Sequence, residues 1–153
     1  ALQSLENMRS QEGAHLSREL QRLLARFAKE IAAIRKLAPG VTAAHRKAMR
    51  QRLSALDPAF ATGDERLARE LALFADRADI TEEISRLASH LAQFSLALRA
   101  KDSSGRSLDF LAQEMFRECN TIGAKANSAA VTRHVIQAKT ELERLREQVQ
   151  NVE

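Results

Sequence analysis

Apolar residues recur at steps of three and four along nearly the whole chain, and this spacing constrains the fold more than any other feature. Leu16, Leu20, Leu23, Phe27, Ile31 and Ile34 form the first series. Leu67, Leu71, Phe74 and Ala78 form a second, and Ile84, Leu87, Leu91, Phe94 and Leu98 a third. Leu108, Leu111, Met115, Cys119 and Ile122 follow, then Val131, Val135, Ala138, Leu142, Leu145, Val149 and Val152. Side chains three and four apart share one face of an α-helix, whereas a strand would alternate every second residue. Only 5 Gly and 2 Pro in 153 residues leave few places for the chain to turn. The expectation is an all-α fold of long amphipathic helices, paired as antiparallel hairpins or gathered into a helical bundle.

The breaks between series predict the element boundaries. A first helix is expected from about Leu2 to Leu37, ended by Pro39-Gly40. A second, Thr42 to Leu56, would take Thr42 as its N-cap. Together these would make a basic helical hairpin over residues 1–62. Asp57-Pro58 and Thr62-Gly63-Asp64 mark the next connection. The stretch from Asp64 to Ala100 slips register between Ala78 and Ile84, where Asp79-Ile80-Thr81-Glu82 has capping-box spacing. A kinked or restarted helix and an uninterrupted one both fit. Residues Lys101 to Ser107 read as a loop. A helix from Leu108 to Ile122 would stop at Gly123, and a last one would start near Asn127 or Ser128.

Charge is uneven. Residues 1–62 carry 11 Lys/Arg against 5 Asp/Glu, and residues 63–153 carry 13 against 15. The basic half suits nucleic acid, although a solvated helix surface accounts for the same charges. One cysteine excludes an intrachain disulfide and suits a reducing cytoplasm. No apolar run is long enough to span a membrane. The first residue, Ala1, already reads as helix, which suggests a piece of a longer protein. Phosphate-binding glycine loops, dinucleotide turns and zinc spacings are missing from the sequence. Six Phe are too few, and too regularly on apolar seams, for a single-strand stacking platform.

Candidate chemistry lies in polar stripes. Asp76, Asp79, Glu83, Arg86 and His90 would share one stripe of a continuous helix, with Glu82 at its edge. Asp76, Asp79, Glu82 and Glu83 could hold Mg²⁺ or Mn²⁺, both oxygen-seeking. Such an ion could activate water against a phosphodiester, or His90 could move protons without one. Ordinary surface ion pairs have the same spacing. Glu114 and Glu118 sit one turn apart. Asp109 also reads as a complement to a helix N-terminus, and Cys119 as a small core residue. The ending Arg146-Glu147-Gln148-Val149-Gln150-Asn151-Val152-Glu153 is dense in polar groups, as burial in an oligomer or a cleft would use.

Three ordered segments resemble the YicC/YloC family. Ala75-Asp76-Arg77-Ala78-Asp79-Ile80-Thr81-Glu82-Glu83-Ile84-Ser85-Arg86-Leu87-Ala88-Ser89-His90 is similar to its central motif. Gly105-Arg106-Ser107-Leu108-Asp109-Phe110-Leu111-Ala112-Gln113-Glu114-Met115, extended by Arg117 to Lys125, is similar to its second. Arg146 to Glu153 resembles its C-terminal ending, and Met8-Arg9 with Glu12-Gly13 more weakly resembles the start of its middle region. The resemblance implies that residues 63–153 are the family's C-terminal helical domain, with an N-terminal domain of roughly 150 residues absent from this chain.

It further implies a cytoplasmic bacterial endoribonuclease that needs Mn²⁺ or Mg²⁺, acts on RNA including small regulatory RNA, and assembles as a homo-oligomer, a hexamer. Carried onto this sequence, the candidates for metal or acid–base roles are Asp76, Asp79, Glu82, Glu83, His90, Glu114, Glu118 and Glu147. Those for phosphate contact are Arg86, Arg106, Arg117, Lys125 and Arg146; Arg can grip phosphate with two donors. The alternative is a helical oligomerisation scaffold, or an RNA-binding module without catalysis of its own.

Overall fold

A computed structural model of the chain describes residues 2–58, 64–100 and 104–151, with side chains from residue 11 onward. The expected Thr62-Gly63 turn, Lys101 to Ser103, and Val152-Glu153 lie outside the described residues. Among the described residues five helices follow one another: α1 (Leu2–Leu56), α2 (Glu65–Ala78), α3 (Thr81–Arg99), α4 (Gly105–Ala126) and α5 (Ala129–Gln150). The described residues form no strand, so the all-α expectation holds.

α1, α3, α4 and α5 form the bundle. α1 packs against α5 and α3, and α4 packs against the same two. Cross-links run in reverse order on neighbouring helices. Glu83 meets Lys125 and Arg86 meets Glu118 between α3 and α4, and Asp109 meets Arg146 between α4 and α5. These neighbours are therefore antiparallel. The core uses the apolar series already named: Phe27, Ile34, Leu87, Phe94, Met115, Ile122, Leu142 and Leu145 are all fully buried. Truncating one such residue to Ala costs about 2–5 kcal/mol, so the seams rather than intrinsic propensity hold the bundle.

Several boundaries correct the sequence reading. Pro39-Gly40 does not end α1, and the hairpin expected over 1–62 is one straight-through helix to Leu56. Pro39 removes a donor from the bond to the carbonyl of Arg35. Both residues are exposed, so water can take that carbonyl. Thr42 lies inside the helix, with its hydroxyl donating to the Ala38 carbonyl at 3.3 Å. The 64–100 stretch is two helices, with the break at Asp79-Ile80. The capping box is not formed as expected: Asp79 accepts from Thr81, and Glu82 pairs with Arg86.

α4 starts at Gly105, three residues early, because the Ser104 side chain caps it by accepting from the Ser107 N–H. It also runs past Gly123 to Ala126. There Asn127 takes the left-handed conformation (φ 43°) that releases the chain into α5. Gly123 is instead a close-approach position, since a Cβ there would sit 3.4 Å from Val135 Cγ1. α5 starts next to the expected Asn127–Ser128 position, with Ser128 as its cap, accepting from the Val131 N–H.

Candidate functional site

The α2–α3 break decides how the candidate carboxylates are arranged. Asp79 closes α2, and its Oδ1 accepts from the Thr81 N–H at 2.9 Å and the Thr81 hydroxyl at 2.5 Å. The hydroxyl bond, the amide bond and nearby Lys125 hold its carboxyl below the usual carboxylate range against a small opposing effect of burial. Asp76, on the far side of the break, is exposed on α2. The single stripe expected from Asp76 to His90 is therefore cut in two.

Past the break, α3 and α4 share a charge cluster. Glu83 is only 2% exposed and accepts from Lys125 Nζ at 2.6 Å. Lys125 Nζ also reaches the Asp79 carbonyl at 3.3 Å. Arg86 donates from Nε to Glu118 Oε1 at 2.7 Å, pairs through Nη1 with Glu82, and lies 3.6 Å from Glu83 through Nη2. The bond to Glu118, with the surrounding carboxylates, pushes the Arg86 guanidinium further up. Helix spacing explains the convergence: residues 82, 83 and 86 share the α3 face that meets α4, and 118 and 125 are two turns apart on α4. One oxygen each of Glu83 and Glu118 (Oε2), and Nδ1 of His90, are buried with no partner among the described residues. Unpaired buried polar atoms are uncommon and ask for an explanation.

Six candidates thus meet: Asp79, Glu82, Glu83, Arg86, Glu118 and Lys125. His90 follows one turn after Arg86 on α3. The others are elsewhere. Arg146 Nε bonds Asp109 at 2.9 Å, about 13 Å along α4 from Glu118 at the helical rise. Arg117 pairs with Glu114 within α4. Arg106 and Glu147 are exposed. Of the expected phosphate contacts, Arg86, Lys125, Arg146 and Arg117 therefore face carboxylates of their own chain. Cys119 is fully buried, and burial pushes its thiol up to about 12, so it is a core residue. Two inter-helix links escaped the sequence reading: His134 Nδ1 with Glu30 Oε2 at 2.7 Å, and His45 Nε2 with the Ala126 carbonyl at 3.0 Å. Their partners lie 104 and 81 residues away, beyond any local spacing signal.

A divalent ion would need several oxygen ligands in reach. Among the described residues, no three His, Cys, Asp or Glu side chains gather to hold a metal. Within one chain, the expected set Asp76, Asp79, Glu82 and Glu83 does not fit such an ion.

The model for the YicC-like endoribonuclease C-terminal region matches residues 34–153, which includes all of α2 to α5 and every member of the cluster. The chain belongs to the YicC-like endoribonuclease family. Its curated relatives include a probable endoribonuclease YicC of Clostridioides difficile, 41% identical across the whole chain, and one of Haemophilus influenzae, 34% identical over 95% of it. The chain spans about half the length of these relatives: 53% of the first and 50% of the second. The YicC-like match begins inside α1, at residue 34, before the basic segment and Pro39. No helix among the described residues is long and apolar enough to cross a membrane.

Proposed function

We propose that this chain is the C-terminal helical portion of a bacterial, metal-dependent endoribonuclease. It cleaves RNA, small regulatory RNA included, and works in the cytoplasm as a homo-oligomer, a hexamer by resemblance. The observation that carries the proposal is the α3–α4 cluster. It joins residues of two family motifs that are 32 and 42 positions apart in sequence.

Glu83 is too buried to touch a polymer, so its role is to position cations. With Glu118 it fixes Arg86 and Lys125, whose side chains remain 41% and 34% exposed. Arg86 has five N–H donors and uses two in hydrogen bonds, leaving others for a phosphate. Asp79 stays ionised, so it suits charge placement better than proton transfer at neutral pH. His90, with Nδ1 unpartnered among the described residues, is the candidate proton carrier. Metal dependence is part of the proposal by resemblance alone. No step here is routed through an ion, because one chain does not assemble its ligands.

Cleavage of RNA by the full-length protein tests the reading. Asp79→Asn, Glu83→Gln and His90→Gln should each cut at least ~100-fold more slowly, the usual scale for lost positioning or acid–base help. Undiminished cleavage by all three, with circular dichroism intact, rules the cluster out. Chelation followed by Mn²⁺ or Mg²⁺ tests the metal. A cyclic phosphate on the product would identify attack by the ribose 2′-OH. A second reading, the oligomerisation scaffold, draws on exposed Leu73, Phe74, Phe110 and Ile136. It expects the same substitutions to shrink the particle seen by light scattering while the chemistry of the remaining oligomer stays normal.

A further inference from the structure

Residues 31–56 contain six Lys/Arg and no Asp or Glu. All six (Arg35, Lys36, Arg46, Lys47, Arg50 and Arg52) are exposed, and none makes an ion pair among the described residues. Elsewhere in the molecule Arg86, Arg117, Lys125, Arg144 and Arg146 each meet a carboxylate. Because α1 does not break at Pro39, these cations share one continuous helix. At 100° per residue, Arg35, Arg46 and Arg50 fall within about 60° of one another, with Lys36 and Lys47 on the adjoining flank. Arg35 to Arg50 covers about 22 Å of helix axis.

This face borders a groove of about 630 Å³ between α1 and the start of α3. Arg35 and Arg46 stand along one wall, and Asp79, Thr81 and Ser85 along the other. Ala38, Pro39 and Ala43 line the α1 side between the arginines with small side chains, which lets a polymer backbone come close. The opposite wall carries one carboxylate, Asp79, which stays ionised but makes no ion pair with Arg35 or Arg46 among the described residues; its Oδ1 accepts from Thr81, and the hydroxyls of Thr81 and Ser85 donate within the α2–α3 turn and α3. Like charges a turn apart on a helix repel, so an unpaired row of this kind is held at a small cost in stability. A polyanion removes that cost.

We propose that the Arg35–Arg46–Arg50 face of α1 is a track for the sugar–phosphate backbone of RNA, leading substrate along the groove past Asp79 toward the α3–α4 cluster. The proposal rests on the endoribonuclease reading above and adds the path by which the strand is held. At the ~3.4 Å rise of a stacked strand, 22 Å meets about six phosphates. The described residues lining the groove include no aromatic side chain, so the track grips charge and does not read bases.

The test is equilibrium binding of a labelled single-stranded RNA to the full-length protein across a salt series, with cleavage assayed in parallel. Arg35→Ala/Arg46→Ala/Arg50→Ala should flatten the plot of log affinity against log salt by about 2, at ~0.7 per lost contact. At 0.1 M salt that is roughly 100-fold weaker binding. Replacing the same three by Lys should keep most of the slope, since phosphate is met here as charge. Arg133→Ala, an exposed cation on α5, should bind like the unaltered protein. An unchanged slope in the triple Ala variant overturns the track, as does an equal loss per charge in Arg133→Ala. So does a fall in oligomer size with RNA affinity retained, which makes the face a subunit contact. If the unaltered protein neither binds nor cuts RNA, the endoribonuclease reading fails first and the track falls with it. Normal cutting with an unaffected triple variant sinks the track alone.

Discussion

Glu83 and Lys125 show how much one buried charge depends on its partner. Burying Glu83 is tolerable only because Lys125 and Arg86 reach it. Lys125→Met should therefore destabilise the chain by about 2–3 kcal/mol, less than a fully buried pair because Lys125 is partly solvated and Arg86 remains. Glu83→Met/Lys125→Met should recover most of that loss, since an apolar pair of similar volume leaves no orphaned charge. Urea unfolding of both variants checks this; equal stability of the single and double variants contradicts it. The residue types in this cluster were legible in the sequence, because motif and spacing singled out Glu83, Arg86, Glu118 and Lys125. Their pairing was not. A carboxylate at 83 finds its lysine at 125 only after two helices choose to lie antiparallel, and no local pattern encodes that choice.

At the scale of elements, the periodic signal located the helices well and the punctuation residues located their ends poorly. Pro39 and Gly40 are breakers by intrinsic preference, yet both sit on an exposed part of α1 that the flanking turns carry through. Gly40 then weakens a helix it does not end. A Cβ there meets nothing within 4 Å, so Gly40→Ala should raise stability by roughly 0.5–1 kcal/mol. A higher urea midpoint with an unchanged slope is the expected result, and a lower midpoint would mean that the backbone there is not helical.

Gly123 misled for the opposite reason: its lack of a side chain serves packing against Val135, and the left-handed cap fell to Asn127. The α2–α3 junction was visible as a register slip, but only coordinates could choose a restart over a smooth helix. Its pH response follows from Asp79. The folded-state pKa is lowered, so the stability from the Thr81 bonds is present above the ordinary carboxylate value and is lost as pH falls through the lower folded value. The Thr81 amide should keep its hydrogen-exchange protection, corrected for intrinsic rate, from about pH 5 down through the ordinary carboxylate range, and lose it only as pH falls below that range. Asp79→Asn should lack that step.

For the molecule as a whole, the all-α architecture could be read from sequence because every core helix repeats one signal over many turns. How far the core extends along α1 could not. Its last fully buried residue is Ile34, and the later positions Leu37, Val41, Met49 and Leu53 are only half-buried. Beyond that point α1 meets α2, where His45 packs edge-on to Phe74, and α2 contributes just Leu71 and Ala78 to the buried set. Local stability follows buried apolar contact, so the two ends of one helix should open with different free energies. Native-state hydrogen exchange on the full-length protein should find residues 20–34 of α1 opening only with the bundle, and residues 43–56 together with α2 opening far more readily. The proposed RNA track lies mostly on this looser arm, so bound RNA should slow exchange in 43–56 and leave 20–34 as it was. Uniform protection along α1 without RNA would mean that something outside the bundle already braces the arm, and bound RNA would then slow exchange in 43–56 no further.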